Sequence, residues 1–281
     1  MIVDLHVHSN ISDGDYSPRE LVIMARDKGV SVMALTDHDS VHGVPQALLA
    51  GEELGVFIIP GMELSTDKGN TDLHILGFYI DMDSMELHRT LDMLRAKRMI
   101  RCKKILKRLR DLGMEIPLSY VLNLGVGGFI GRGRIFKAMV NLGFARSHKK
   151  YGDFQRYLGK KGLAYVEHEG LSPEEAIRFI LDCRGIPVLA HPRTDISTDT
   201  VERLISVGLE GVEAYHPSHS RNTCKMWLDF AKDHDLVVTG GSDFHRISPD
   251  EPYGLGSMAV PPTAVYELTE RWLKITSDRC I

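Results

Sequence analysis

The sequence predicts an α/β fold in which seven strands form a parallel, barrel-like sheet and a small helical domain interrupts it. Three observations carry that prediction. Short apolar runs end in polar clusters and lead into amphipathic helices along most of the chain, the pattern of a parallel sheet wrapped by crossover helices. Of the 281 residues, about 200 lie outside the middle of the chain, enough for a barrel slightly smaller than the eight-stranded kind. Charge marks the interruption. From Arg95 to Lys161 stand 18 Lys or Arg against three acids, whereas the remainder carries 16 basic residues against 35 acids, so the net charge of −4 conceals two modules of opposite sign.

The elements follow in order. Ile2 to His8 ("IVDLHVH") alternates apolar and polar residues as a half-buried strand does, and so sets His6 and His8 on one face. Side chains two apart on a strand lie roughly 6.5 to 7 Å apart, close enough for two imidazoles to converge on one ion. Ser17 and Glu20 form a capping box that opens the first helix. Val32–Thr36 is the second strand, ending in "DHDS" before a helix over Val44–Leu54; Val56–Pro60 is the third, ending in "GMELS"; Thr71–Ile80 is the fourth. The stretch "RAKRMIRCKKILKRLR" is an amphipathic helix with Met99, Cys102, Ile105, Leu106 and Leu109 on its apolar face, and its exposed side suits anionic partners. It belongs to a basic helical insertion at 89–167, flanked by a barrel made of 1–88 and 168–281. Within it, "LGVGGFIGRG" lacks the Gly-Lys-Ser/Thr ending of a phosphate-binding P-loop and reads as a flexible turn before a helix that carries Arg132. Ser172, Pro173 and Glu175 open the next helix. "IPVLAHP", "GVEAYHP" and "LVVTGGSDFH" supply strands five to seven, with helices near Thr200–Val207 and Arg221–Asp233 between them.

Composition bounds the function. No apolar run approaches the 18 or so residues of a membrane span, and the chain enters a strand at once, without a charged leader. The four cysteines lack Cys-x-x-Cys spacing, so a reduced, cytoplasmic setting is expected. Nothing calls for an obligate protein partner.

The functional signal is where the ionisable residues fall. His6, His8, Asp13, His38, Glu63, His191, Asp243 and His245 lie at or just beyond the C-terminal ends of expected strands, with His74 inside the fourth. In a parallel barrel those ends make one rim, where active sites form. Nine nitrogen and oxygen ligands exceed the needs of one ion. Two or three divalent ions are expected, and mixed His/carboxylate ligation suits Mn, Fe or Zn alike. His42, His88, His148, His168 and His234 fall in helices or loops and read as ordinary surface residues.

Together "DLHVHSNISDG", "ALTDHDS", "PGMELS", "HILGFYI", "AHP" and "GSDFH" resemble the ordered motifs of the polymerase and histidinol phosphatase (PHP) family. That resemblance implies a distorted seven-stranded β/α barrel with a trinuclear site. Carried over, it implies one ion on His6, His8, Glu63 and Asp243, a second on Asp13, His38 and His245, and a third on Glu63, His74 and His191, with Glu63 as the bridge. Asp13, His38, Glu63, His191 and Asp243 are assigned to catalysis as well. The insertion is similar to that of PHP proteins that remove the 3′-phosphate of nucleoside 3′,5′-bisphosphates or trim short RNA from its 5′ end. Where those relatives read Gly-Arg-Pro-His, this chain has Gly131-Arg132-Gly133-Arg134.

The chemistry points the same way, because clustered divalent ions polarise phosphoryl oxygens and lower the pKa of bound water. The expected substrate is a small phosphorylated molecule, a nucleotide or short oligoribonucleotide. Arg132 and Arg134 offer planar forks for a second phosphate, Arg193 for the reacting one, and His216 and His219 shape the leaving-group side. Asp37 and Asp39 are expected to orient ligand imidazoles. Two rivals are an amidohydrolase, which would want a lysine where Glu63 and His74 stand, and a non-catalytic nucleic-acid binder using the basic insert.

Overall fold

A computed structural model describes residues 1–66, 73–146, 151–248 and 253–278. Its strands are β1 (Ile2–Val7), β2 (Val30–Leu35), β3 (Phe57–Thr66), β4 (Leu73–Phe78), β5 (Ile186–Ala190), β6 (Gly211–Tyr215) and β7 (Val237–Gly240). They form one sheet in sequence order. A bridge between Val7 and Phe244, with the His8 N–H donating to the Phe244 carbonyl at 3.0 Å, draws the two edges together, so the sheet curls towards a barrel. The seven-stranded α/β architecture is as expected. The helices are α1 (Pro18–Asp27), α2 (Val44–Leu54), α3 (Met85–Asp111), α4 (Leu118–Asn123), α5 (Arg132–Asn141), α6 (Tyr151–Tyr157), α7 (Pro173–Asp182), α8 (Thr198–Ser206), α9 (Arg221–Asp233) and α10 (Thr263–Asp278). Both expected capping boxes are formed, at Ser17/Glu20 and Ser172/Glu175. No described helix is long and apolar enough to cross a membrane.

The all-parallel expectation fails at β4, which pairs antiparallel with both β3 and β5. Only six residues separate Thr66 from Leu73, whereas a parallel crossover needs a dozen or more. The reversal has a functional consequence. His74, near the start of β4, reaches the same rim as residues at the ends of the parallel strands. Residues 71 and 72 of the expected strand lie outside the described residues, and β3 runs on through Glu63 to Thr66 rather than stopping at Pro60.

Side-chain alternation separates two cores. Outside the sheet, Met33, Leu35, Met62, Leu64, Ile75, Leu189 and Val212 pack against α1, α2, α7, α8 and α9. Inside it, Val3, Leu5, Val32, Ala34, Ile59, Leu76, Phe78 and Val188 meet Ala264, Val265 and Leu268 of α10, which plugs the bottom of the barrel. The polar rim sits above this apolar floor. β1 changes phase on the way up: its register shifts between Asp4 and Val7, so Leu5 faces the inner core while Val7 joins the outer one. A bulge of this kind re-aims side chains, here turning His6 and His8 into the barrel mouth.

A third core belongs to the insert. Helix α3 crosses the 88/89 boundary drawn from sequence: Leu87, Leu91 and Leu94 pack on the barrel, while Cys102, Ile105, Leu106 and Leu109 join Ile130, Ile135, Phe136 and Met139. Lys103, Lys104, Lys107, Arg108 and Arg110 are exposed on the opposite side. The helix is therefore both an ordinary amphipathic element and a basic surface.

Candidate metal centre

The rim gathers the expected ligands, five of the histidines around the Glu63 carboxylate. Glu63, almost fully buried, points Oε2 at His6 Nε2 (3.3 Å), His8 Nε2 (3.2 Å) and His38 Nδ1 (3.1 Å), and Oε1 at His74 Nδ1 (2.7 Å) and His191 Nε2 (3.0 Å). His6 Nε2 and His8 Nε2 are only 3.0 Å apart, and Asp243 Oδ1 lies 3.4 and 3.1 Å from them. A second group forms to one side, with His245 Nε2 3.3 Å from Asp13 Oδ1 and His38 Nε2 3.9 Å from Asp13 Oδ2. His8 joins this group, its Nδ1 being 3.9 Å from Asp13 Oδ1.

Three rim residues leave their strands through left-handed turns: Asp39 (φ 45°), His191 (φ 27°) and Asp243 (φ 50°). Such conformations cost energy in non-glycine residues and persist where surrounding contacts enforce them. Gly241 supplies the close approach between β7 and β1, since a Cβ there would lie 2.4 Å from the His6 Cβ.

This donor set fits divalent cations. Nitrogen and carboxylate lone pairs converge with few hydrogens between them, and His8 Nδ1, Asp13 Oδ1 and His38 Nδ1 are buried without a hydrogen-bond partner. Unshared buried acceptors carry a large desolvation cost that a cation removes. Burial pushes the His38 imidazole down to about 3, keeping it neutral as ligation requires. Burial also opposes charge on His245, but without an ion Asp13 and Asp243 outweigh it and hold that group up to about 10, the same negative field that would draw a cation there in place of the proton. For Glu63, burial is likewise overcome by His38, His74 and His6, and the carboxyl stays well below its ordinary range.

Other expected residues stand as follows. Arg132 opens α5 and lines a cleft of about 630 Å³ between insert and barrel; Phe154, Gln155 and Lys160 share its wall, and Ala190, His191 and Arg193 lie on the barrel side. Arg193 is exposed at its mouth, paired with Asp195 at 2.7 Å. Arg134 instead turns into the protein, buried beside Gly125 and donating to the Ser12 carbonyl. His219 turns its ring nitrogens towards the Ala214 and Pro192 carbonyls, at 2.9 and 3.0 Å, and its single N–H donates to one of them. His216 accepts the Ser218 N–H at Nδ1 (3.1 Å), which leaves Nε2–H directed at Asp243 Oδ2 (3.4 Å). Its neighbour is thus Asp243, one of the expected ligands.

Asp37 and Asp39 hold loops rather than imidazoles. Asp37 accepts from the Ser9 N–H, the Ser9 hydroxyl and the Ser12 hydroxyl, while Asp39 accepts from the Ser65 N–H and pairs with the buried Arg98 of α3. The glycine-rich stretch is docked: a Cβ on Gly127 would lie 2.0 Å from the Ile11 carbonyl, and Phe129 stacks on His38 with the Arg98 guanidinium 4.4 Å above its ring. His168, expected at the surface, is buried, and His148 lies outside the described residues. Burial pushes His168 down to about 3, with Arg98, Arg101 and Arg132 adding to the effect.

Sequence reasoning missed Glu213. On β6 it is fully buried and accepts from His6 and from the His191 backbone. The available signal was a lone acid inside the short strand "GVEAY", where parallel strands are buried on both faces and an acid requires a partner.

A model of the PHP domain matches residues 4–163. The chain is 34% identical over 248 residues to a 5′-3′ exoribonuclease of Haemophilus influenzae, covering 86% of this chain and 89% of the relative. It is 31% identical over 256 residues to a 3′,5′-nucleoside bisphosphate phosphatase of Chromobacterium violaceum, covering 86% and 87%. A crystal structure assigned as a metal-dependent phosphoesterase, from Bifidobacterium adolescentis, superposes with a TM-score of 0.84 at 30% identity, covering 96% of both chains.

Proposed function

The chain belongs to the PHP domain family and is a metal-dependent phosphoesterase, and we propose that it removes the 3′-phosphate of nucleoside 3′,5′-bisphosphates and also acts at the 5′ end of short phosphorylated RNA. The observation that carries this reading is the cleft, which joins the ligand His191 to Arg132 and Lys160 of the insert. One phosphate reaches the ions while another meets a cationic wall. The names of the two curated relatives, a bisphosphate phosphatase and an exoribonuclease, support the same substrate class. They weigh against the non-catalytic reading, and Glu63 and His74 stand where an amidohydrolase would want a lysine, which weighs against that one.

In this reading His6, His8, Glu63 and Asp243 hold one ion, Asp13, His38 and His245 a second, and Glu63, His74 and His191 a third, with Mn, Fe or Zn all suited to the donors. Bound there, divalent ions polarise a phosphoryl oxygen and bring a water's pKa towards neutrality. Asp13, His38, Glu63, His191 and Asp243 line the place where phosphate and water meet. His216 orients Asp243. Arg132 binds the distal phosphate through its planar fork, with Arg193 at the cleft mouth as a further cation. Phe129 covers His38 and limits water access from the insert side. The unpaired cysteines Cys102, Cys183 and Cys224 support a reducing, cytoplasmic setting.

The test is a substrate comparison. A charge-assisted bidentate contact contributes about 1.5 to 3 kcal/mol, roughly ten- to a hundredfold. Arg132→Ala is expected to lower kcat/KM on a nucleoside 3′,5′-bisphosphate by about that factor and to leave p-nitrophenyl phosphate hydrolysis nearly unchanged. Equal losses on both substrates would move Arg132 to the reacting phosphate or the scaffold. A wild-type enzyme without preference for the bisphosphate over the 3′-monophosphate would remove the nucleotide assignment.

The basic face of the insert adds a second expectation. Long-range attraction is screened as the Debye length shortens, so KM for short RNA should rise with ionic strength. A KM that does not change with salt would make α3 a solvated face without a role in substrate capture.

A further inference from the structure

β6 supplies none of the nine ligands, yet it carries the most deeply enclosed carboxylate of the rim. Glu213 is 0% exposed. Its Oε1 lies 3.0 Å from His6 Nδ1, and Oε2 lies 3.2 Å from the same nitrogen while accepting the His191 backbone N–H at 2.8 Å. One side chain therefore ties β1 to the turn after β5.

We propose that Glu213 is a positioning residue that sets the tautomer of His6 and holds the His191 turn, so that both imidazoles present metal-binding lone pairs. The inference rests on the reading of His6 and His191 as ligands. A neutral imidazole has one ring hydrogen, and a carboxylate facing Nδ1 can only accept it. Nδ1 of His6 thus carries the hydrogen, and the Nε2 lone pair is left for the space shared with His8 Nε2, Glu63 Oε2 and Asp243 Oδ1. The other partner is equally specific. His191 leaves β5 at φ 27°, a conformation disfavoured for a residue with a side chain, and its N–H is fastened to Glu213 Oε2. His191 Nε2 then reaches Glu63 Oε1 at 3.0 Å. Without Glu213, either His6 tautomer is allowed and the His191 turn loses its anchor.

Glu213→Gln probes this at constant size. A carboxamide keeps one oxygen and replaces the other by NH2: with the oxygen held where Oε2 accepts the His191 N–H, the NH2 stands where Oε1 lies 3.0 Å from His6 Nδ1 and opposes a hydrogen on that nitrogen. Loss of a hydrogen-bond partner behind a metal ligand lowers metal affinity roughly ten- to a hundredfold. Zn titration against a chromophoric chelator should show that loss, with His6→Ala as the control that removes the ligand itself. On the Zn-loaded wild-type enzyme labelled with 15N-histidine, His6 should show a protonated Nδ1 and a metal-bound Nε2. Wild-type Zn affinity in Glu213→Gln, where His6→Ala loses metal, would overturn the role of Glu213 and spare the ligand reading. A His6→Ala protein with its full metal complement would overturn the ligand reading instead. If Glu213→Gln fails to fold, the wild-type spectrum decides: a His6 ring that binds metal through Nδ1, with Glu213 as a ligand beside it, contradicts the proposal.

Discussion

Replacing Glu63 with alanine is expected to reduce phosphoesterase turnover to background and to remove more than one equivalent of bound metal. Among the described residues no other side chain faces as many of the expected ligands. Its two oxygens face different groups, Oε2 towards His6, His8 and His38, and Oε1 towards His74 and His191. Loss of the carboxylate leaves five imidazoles crowded around an empty centre, with less negative charge to hold cations among them. His8→Ala should also abolish activity but remove fewer ions, since His8 lies on one side of Glu63 only. The check is elemental analysis of folded protein alongside a phosphomonoesterase assay. Full metal occupancy with intact turnover in Glu63→Ala would end its role as a bridge.

Arg98→Ala is expected to be the most damaging change to stability outside the apolar cores. Arg98 Nε donates to Asp39 Oδ2 at 2.6 Å, and both side chains are nearly excluded from solvent. Removing one partner of a buried pair leaves the other charge uncompensated, at a cost of about 3 to 5 kcal/mol. The same guanidinium lies over Phe129, which stacks on His38, so the loss also loosens the insert's contact with the rim. Urea unfolding gives the measure. A loss of about 1 kcal/mol or less would class the pair with exposed ion pairs. Arg98→Lys keeps the charge but not the planar stack, and should recover only part of the stability.

Much of this arrangement was legible in the chain. Period-two alternation located β1, capping boxes located α1 and α7, and the positions of His and acids at strand ends located the rim. What the pattern could not convey was direction and phase. Alternation is the same whichever way a strand runs, so the reversal of β4 had to be read from the six-residue connection before it. The β1 bulge was equally silent, because it changes which face a residue uses without changing the residues. His168 looked like a loop histidine, and burial of loops is set by tertiary contacts that local composition does not encode. Arg134 and Arg132 sit two apart on one helix start, and only the packing of the insert against Ser12 and Gly125 distinguishes them.

The most direct measurement is an anomalous difference map from crystals loaded with Mn. Ions should appear on both sides of Glu63, one in contact with Oε2 among His6, His8 and Asp243, and another in contact with Oε1 between His74 and His191. A third is expected beside Asp13, His38 and His245. A map in which no ion touches Glu63, or in which both of its oxygens bind the same ion, would contradict the bridged centre on which the proposed chemistry depends.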